Sequence, residues 1–174
     1  MTGRADGTDL LIRVVRVTDR AILPVKQTEG SSGWDLHACL EAPLRIPPMG
    51  RAAVPTGLSV AVPGGYELQI RPRSGLALRK GVTVVNAPGT IDSDYRGELK
   101  VLLVNLGDAP FEIRHGDRVA QMVLAHTPRG LLEVVERLEE TSRGAGGFGH
   151  TGLGADASQT EAQRSPEEGG AETL

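Results

Sequence analysis

Apolar and β-branched residues in this chain come in short runs, each closed by Pro, Gly, Asn or Asp before a helical period can establish itself. The first run, residues 10–17, reads Leu-Leu-Ile-Arg-Val-Val-Arg-Val. Similar runs cover residues 34–40, 44–46, 51–55, 58–62, 66–71, 82–85, 99–105, 111–113, 118–124 and 131–134. Between them lie turn signals such as Pro47-Pro48-Met49-Gly50, Pro63-Gly64-Gly65, Gly107-Asp108 and Gly116-Asp117. Glycine and proline set backbone angles that a strand cannot continue through. Many short strands at this spacing predict an all-β sandwich, barrel or jelly roll. Aromatics make up only 3% of the chain, so Val, Leu, Ile and Ala must build the core. One internal helix is expected, a short one at residues 75–80 stopped by Gly81.

The ends differ from the body. Residues 1–9 are polar and carry no apolar leader. A β domain is expected over 10–138, a glycine-rich flexible arm over 139–154, and a polar, acidic, disordered tail over 155–174. Net charge is −3. Asp156, Glu161, Glu167, Glu168 and Glu172 stand against Arg164 alone in the tail, which puts −4 there and leaves the body at +1. That balance argues against a nucleic-acid-binding surface. No apolar run approaches the length of a membrane span. The one cysteine, Cys39, forbids an internal disulfide and fits a reducing, cytoplasmic setting. Its apolar neighbours predict a buried, inert thiol.

Five segments carry more chemistry than a β scaffold needs. In Ser32-Gly33-Trp34-Asp35-Leu36-His37-Ala38, a carboxylate stands among apolar residues. Either an arginine pairs with Asp35 or it reaches a magnesium-bound water. In Arg73-Ser74-Gly75-Leu76-Ala77, the start of the helix offers backbone N–H groups, a hydroxyl and a guanidinium. These make a phosphate cradle, or an N-capping serine beside solvated arginines. Gly89-Thr90-Ile91-Asp92-Ser93-Asp94-Tyr95-Arg96-Gly97-Glu98 reads as a binding hairpin with a poised carboxylate. In Gly116-Asp117-Arg118-Val119-Ala120-Gln121-Met122, Asp117 is a turn residue, and Gln121 is a phosphate donor or a plain surface amide. In Arg143-Gly144-Ala145-Gly146-Gly147-Phe148-Gly149-His150-Thr151-Gly152, glycines let backbone close over a ligand and Phe148 offers a stacking face. Without those contacts it is a glycine-rich tail. The four histidines show no metal-ligand spacing.

In this order, the five segments resemble the five motifs of the trimeric dUTPases, over about residues 10–154. The resemblance implies a distorted, jelly-roll-like β barrel that forms homotrimers, with active sites shared between subunits. It implies hydrolysis of dUTP to dUMP and pyrophosphate, with Mg²⁺ carried by the triphosphate. Asp92 would activate the water that attacks the α-phosphorus. Asp35 would touch the metal through a bound water, not directly. Arg73, Ser74, Gly75 and Gln121 would contact phosphates, and Asn86 with Gly89, Thr90 and Ile91 would read uracil. Tyr95 would pack under the deoxyribose. Arg143, Phe148, Gly149 and Thr151 would close the site from the arm, with His150 standing where serine is common. No nucleic-acid or membrane partner is implied. A dCTP deaminase or bifunctional relative on the same fold, and a non-catalytic nucleotide-sensing trimer, are the competing readings. Deamination needs a glutamate placed to activate water at the pyrimidine.

Overall fold

Among the described residues, 10–148 of the computed structural model, the short runs become ten strands and one helix. In chain order these are β1 (Arg13–Arg16), β2 (Gly33–His37), β3 (Leu44–Ile46), β4 (Arg51–Ala61), β5 (Tyr66–Arg71), α1 (Ser74–Lys80), β6 (Val82–Val84), β7 (Gly89–Ile91), β8 (Glu98–Asn105), β9 (Phe111–Ile113) and β10 (Arg118–His126). Chain packing divides the protein into two units, Met1–Gly130 and Leu131–Leu174. All the strands and the helix belong to the first.

Two four-stranded antiparallel sheets are ordered β1-β4-β8-β6 and β2-β10-β5-β7, with β3 and β9 forming a two-stranded pair. The sheets stay open, a jelly-roll-like arrangement. Alternation sets their faces. In β8, Leu99, Val101 and Leu103 point inward while Lys100 and Leu102 face out. Leu36 of β2, Leu68 and Ile70 of β5, Val82 and Val84 of β6 and Met122 of β10 join them in one core. That core is aliphatic, as the composition requires. Each such side chain stabilises by roughly 1.5–3 kcal/mol when fully buried. Two buried polar residues, Thr56 and Asn105, are satisfied. The Thr56 hydroxyl donates to Leu99 O (2.8 Å), and Asn105 Nδ2 donates to Ile46 O (3.0 Å) and Ala109 O (2.9 Å).

Four expectations need correction. Residues 51–55 and 58–62 are one strand, β4, with a register shift between Pro55 and Ser59. Gly57 makes this possible with φ +67°; a Cβ there would lie 2.9 Å from Ala21 Cβ and 3.0 Å from Cys39 Sγ. The glycine that reads as a break is a bulge inside a continuous ladder. Residues 131–134 form no strand. Among the described residues their own unit offers no strand to pair with, and an unpaired strand leaves its backbone groups unsatisfied. Cys39 is half-buried, because β2 ends at His37 and the cysteine lies past it. Finally, residues 89–98 do not fold back on themselves. β7 pairs with β5 in one sheet while β8 pairs with β4 and β6 in the other, so the segment is a crossover between sheets. The helix behaves as read, with Gly81 (φ +66°) as its left-handed C-cap.

Candidate active site

A pocket of about 390 Å³ opens beside β7, lined by Asn86, Gly89, Thr90, Ile91, Asp92 and Tyr95. Ile70, Glu98, Lys100 and Leu102 complete its walls. A tight turn carries its chemistry. Tyr95 N–H donates to Asp92 O (3.2 Å), and the Tyr95 hydroxyl donates to Glu98 O (3.0 Å). One Arg96 nitrogen braces this turn by donating to Ser93 O (2.7 Å) and Tyr95 O (2.8 Å). Asp92 is exposed to solvent at the pocket. At Gly89, a Cβ would sit 3.2 Å from Asn86 Nδ2 and 3.3 Å from Ile70 Cβ. A side chain there would have to push the asparagine amide or Ile70 aside by a few tenths of an ångström.

A second cluster centres on Asp35, which is 1% exposed. Arg118 Nη1 donates to Asp35 Oδ2 (3.1 Å) and Gln121 Nε2 donates to Oδ1 (3.2 Å). Arg73 Nε lies 3.6 Å from Oδ1, and Arg73 Nη1 donates to Arg118 O (3.1 Å). The arginine pairing open for Asp35 is therefore realised, by two arginines. The same carboxylate orients Arg73 and Gln121. Arg73 is also the N-cap of α1 and no side chain caps the helix, so Ser74 is not the capping serine. The first-turn N–H groups of Ser74 and Gly75 have no acceptor inside the helix. Arg79 Nη2 folds back to within 2.7 Å of where a Gly75 Cβ would be, which adds positive charge there.

His37 lies on the same strand face as Asp35. Its Nδ1 is buried and has no hydrogen-bond partner among the described residues. Burial lowers its pKa from the ordinary 6.5, against the raising effect of Asp35 and with smaller lowering effects from Arg118 and Arg73.

The two clusters lie toward opposite edges of one sheet, ordered β2-β10-β5-β7. Gly89, Ile70, Met122 and Trp34 are opposite one another across β7, β5, β10 and β2, and so are Arg71, Gln121 and Asp35 across β5, β10 and β2. Adjacent residues on a strand point to opposite faces, so Asp35 and Gln121 project away from the core face that carries Ile70; Thr90 of the pocket, opposite Gln69 on β5, shares their face, and β5 and β10 lie between β7 and β2.

In the second unit, Arg143 Nε donates to Gly146 O (2.9 Å), and Gly144 and Gly146 N–H groups close turns onto Thr141 O and Arg143 O (both 3.0 Å). Phe148 is fully exposed. Gly149, His150 and Thr151 lie outside the described residues, as does the tail 155–174.

Arg118, Glu98, Lys100, Leu102, Ile70 and Arg79 were not selected from sequence. Arg118 had a signal: a carboxylate in an apolar strand demands a cation. The chain separates the two by 83 residues, and no local pattern chooses among many arginines. Among the described residues, no three His, Cys, Asp or Glu side chains stand together as a metal site. The oxygens of Asp35 are taken by Arg118, Gln121 and Arg73. These residues do not fit a metal held by protein ligands; they leave room only for one that arrives with a ligand and meets Asp35 through water. Among the described residues, no helix is long and apolar enough to cross a membrane.

Comparisons with known proteins converge. The dUTPase family model matches residues 19–152. A deoxyuridine 5'-triphosphate nucleotidohydrolase of Wolinella succinogenes is 57% identical over 141 residues, covering 81% of this chain and 93% of that protein. One of Syntrophotalea carbinolica is 52% identical over 144 residues, covering 83% and 98%. Among solved structures, the Staphylococcus bacteriophage 80alpha dUTPase with dUpNHpp superimposes with a TM-score of 0.75 at 23% identity, covering 82% of this chain and 99% of that one. The last likeness bears on the fold alone.

Proposed function

Because this chain belongs to the dUTPase family, we propose that it hydrolyses dUTP to dUMP and pyrophosphate. The reaction limits uracil in DNA and supplies dUMP for dTMP synthesis. The observation that carries the reading is the pocket that gathers Asn86, Thr90, Asp92 and Tyr95 beside β7. A pyrimidine fits between the Asn86 amide and the backbone of β7. Uracil offers an acceptor where cytosine offers a donor, and a mispaired buried polar group costs about 1–3 kcal/mol. The Tyr95 ring packs under the deoxyribose and leaves no room for a 2′-hydroxyl. Asp92 takes a proton from the water that attacks the α-phosphorus in line, a role worth about 10²–10⁴-fold in rate.

The triphosphate lies against Arg73, the Ser74 hydroxyl, the Gly75 N–H and the Gln121 amide. Asp35 holds Arg73 and Gln121 in place and reaches the Mg²⁺ only through water. The Mg²⁺ is part of the substrate; it comes with the triphosphate and offsets its charge. Arg143, Phe148, Gly149 and Thr151 close over phosphate and base. We place the enzyme in the cytoplasm as a homotrimer with sites shared between subunits. The placing of the Asp92 pocket at β7 and of Asp35 at β2, the two edges of one sheet, supports this, since a second copy can bring the two to one ligand.

Deamination is disfavoured. Among the described residues, Glu98 is the only glutamate on the pocket wall. Its Oε1 accepts the Gly57 N–H (2.9 Å) and its Oε2 lies 3.8 Å from Lys100 Nζ, so it is committed to holding the β4 bulge. The test is pyrophosphate release from dUTP, dCTP, dTTP and UTP in parallel, with Mg²⁺ present or chelated. Release from dUTP alone, dependent on Mg²⁺, is expected. Ammonia from dCTP, or binding without turnover, would replace this reading with one of the others.

A further inference from the structure

We infer that Gly97 is a positioning residue for sugar selection, because its missing side chain is the space into which the Tyr95 ring folds. The inference rests on the dUTP-hydrolysing function proposed above. A Cβ at Gly97 would overlap the Tyr95 hydroxyl oxygen and come within 2.6 Å of Cζ and 3.1 Å of Cε2. Gly97 does not have the positive φ found at Gly57, Gly65, Gly81, Gly116 and Gly144. Its backbone is one that any residue can adopt, so space alone demands glycine here.

The strain of an added methyl cannot be relieved by shifting the backbone, because both neighbours are tied to β4. Ser59 Oγ donates to Arg96 O (2.7 Å) on one side. On the other, Glu98 is opposite Ser59 in the β4–β8 ladder and its carboxylate accepts the Gly57 N–H (2.9 Å). The next residue, Leu99, is core, and its carbonyl accepts from the buried Thr56 hydroxyl (2.8 Å). Tyr95 is the softer partner. It is 42% exposed and is held by its hydroxyl on Glu98 O and by the turn closed on Asp92 O. An added methyl therefore turns the ring off its seat. The surface that excludes a 2′-hydroxyl goes with it, while Asn86 and the pocket floor at Gly89 stay in place. The β4 bulge thus acts on the substrate's sugar through the fixed segment 96–98.

The experiment is a double-mutant cycle of Gly97→Ala and Tyr95→Ala, with kcat/KM measured for dUTP and UTP in each protein and folding checked by thermal melting. Added or missing methylene-sized bulk in a pocket changes discrimination by about 10–200-fold. Gly97→Ala should therefore lower the dUTP-over-UTP preference by about tenfold or more when Tyr95 is present. In the Tyr95→Ala background, the same change should alter the preference less than about twofold, since no ring remains to displace. If Gly97→Ala alone fails to fold, the double variant should fold. An unchanged preference in Gly97→Ala, an equal loss in both backgrounds, or a double variant as unfolded as the single one overturns the inference. A parent protein that releases no pyrophosphate from dUTP overturns the proposed function itself. An active parent with unaltered selectivity in Gly97→Ala removes only the role of Gly97.

Discussion

Replacing Arg118 with alanine should cost more stability than replacing Asp35 with asparagine, although each change removes one charge from the same pair. The Asp35 side chain is 2% exposed, whereas those of Arg118 and Arg73 are 42% and 26% exposed. Without the carboxylate charge, the two guanidiniums turn to water, and asparagine still offers an oxygen to Gln121. The loss is that of one charged hydrogen bond, of which rehydration returns a part, so roughly 1–2 kcal/mol. Without Arg118, the carboxylate stays buried with Gln121 at 3.2 Å and Arg73 at 3.6 Å. Stripping one partner from a buried pair costs about 3–5 kcal/mol, and Arg73 offsets enough to put this variant near the bottom of that range. The gap between the variants should be roughly 1–2 kcal/mol at neutral pH. Urea unfolding followed by the fluorescence of Trp34, the one tryptophan, reads it directly. Substrate affinity should follow the opposite order. Asp35→Asn frees Arg73 and raises the KM for dUTP, whereas Arg118→Ala leaves Arg73 on Asp35. Equal unfolding costs, or a larger cost for Asp35→Asn, would refute the reasoning that the buried anion is what the arginines serve.

Three further outcomes are expected. Asp92→Asn should keep nucleotide affinity and lose turnover by about 10²–10⁴-fold; calorimetric binding with single-turnover kinetics checks it, and a parental rate removes Asp92 from the mechanism. Burial lowers the pKa of His37 below its ordinary 6.5, so the unfolded chain takes up this proton first as pH falls. The stability it contributes is complete above about 6.5 and declines below it, and a Tm series across that range should flatten in His37→Leu. Truncation before Arg143 should preserve the oligomer on sizing columns and abolish efficient catalysis, while removal of residues 155–174 should change little; full activity without the arm would make it a bystander.

The fold was legible where burial is one-sided. β3, β5 and β9 fall on the expected residues because their apolar runs end at real turns. β4 was split because glycine reads as an end, and only contacts with Ala21 and Cys39, distant in sequence, make Gly57 a bulge. Asn86, Gly89, Thr90, Ile91, Asp92 and Tyr95 of the β7 pocket were legible because they lie within ten positions of one another, so local sequence carries their grouping. The crossover of the segment was not legible, since pairing of β7 with β5 rather than β8 is a choice between distant partners. Arg118 and Gly97 were missed for related reasons. One answers a charge on another strand, and the other leaves a space whose occupant, Tyr95, becomes visible only once the turn is built.

Whether one chain can assemble a complete site is decided by mixing two dead proteins. Asp92 lines the pocket at β7, one edge of the sheet, while Asp35 lies on β2, the other edge, with Gln121 on β10 beside it. If sites are shared, Asp92 of one subunit works with Arg73 and Gln121 of another. Asp92→Asn and Arg73→Ala each then inactivate every site in their own homo-oligomer, but for different reasons. When the two are unfolded together and refolded, an interface that joins the intact Asp92 of one variant to the intact Arg73 of the other is whole. With equal amounts and random closure of a cyclic oligomer, about one quarter of interfaces meet that condition. Activity should therefore rise from near zero in either variant to about a quarter of the parental value, and it should follow the product of the two mole fractions as the ratio is varied. Sites built within one chain predict no such gain, because every chain in the mixture carries one lesion. A flat response across all ratios, with mixed oligomers demonstrated by mass, would refute the sharing of sites and require the two edges of the sheet to meet one ligand within a single chain.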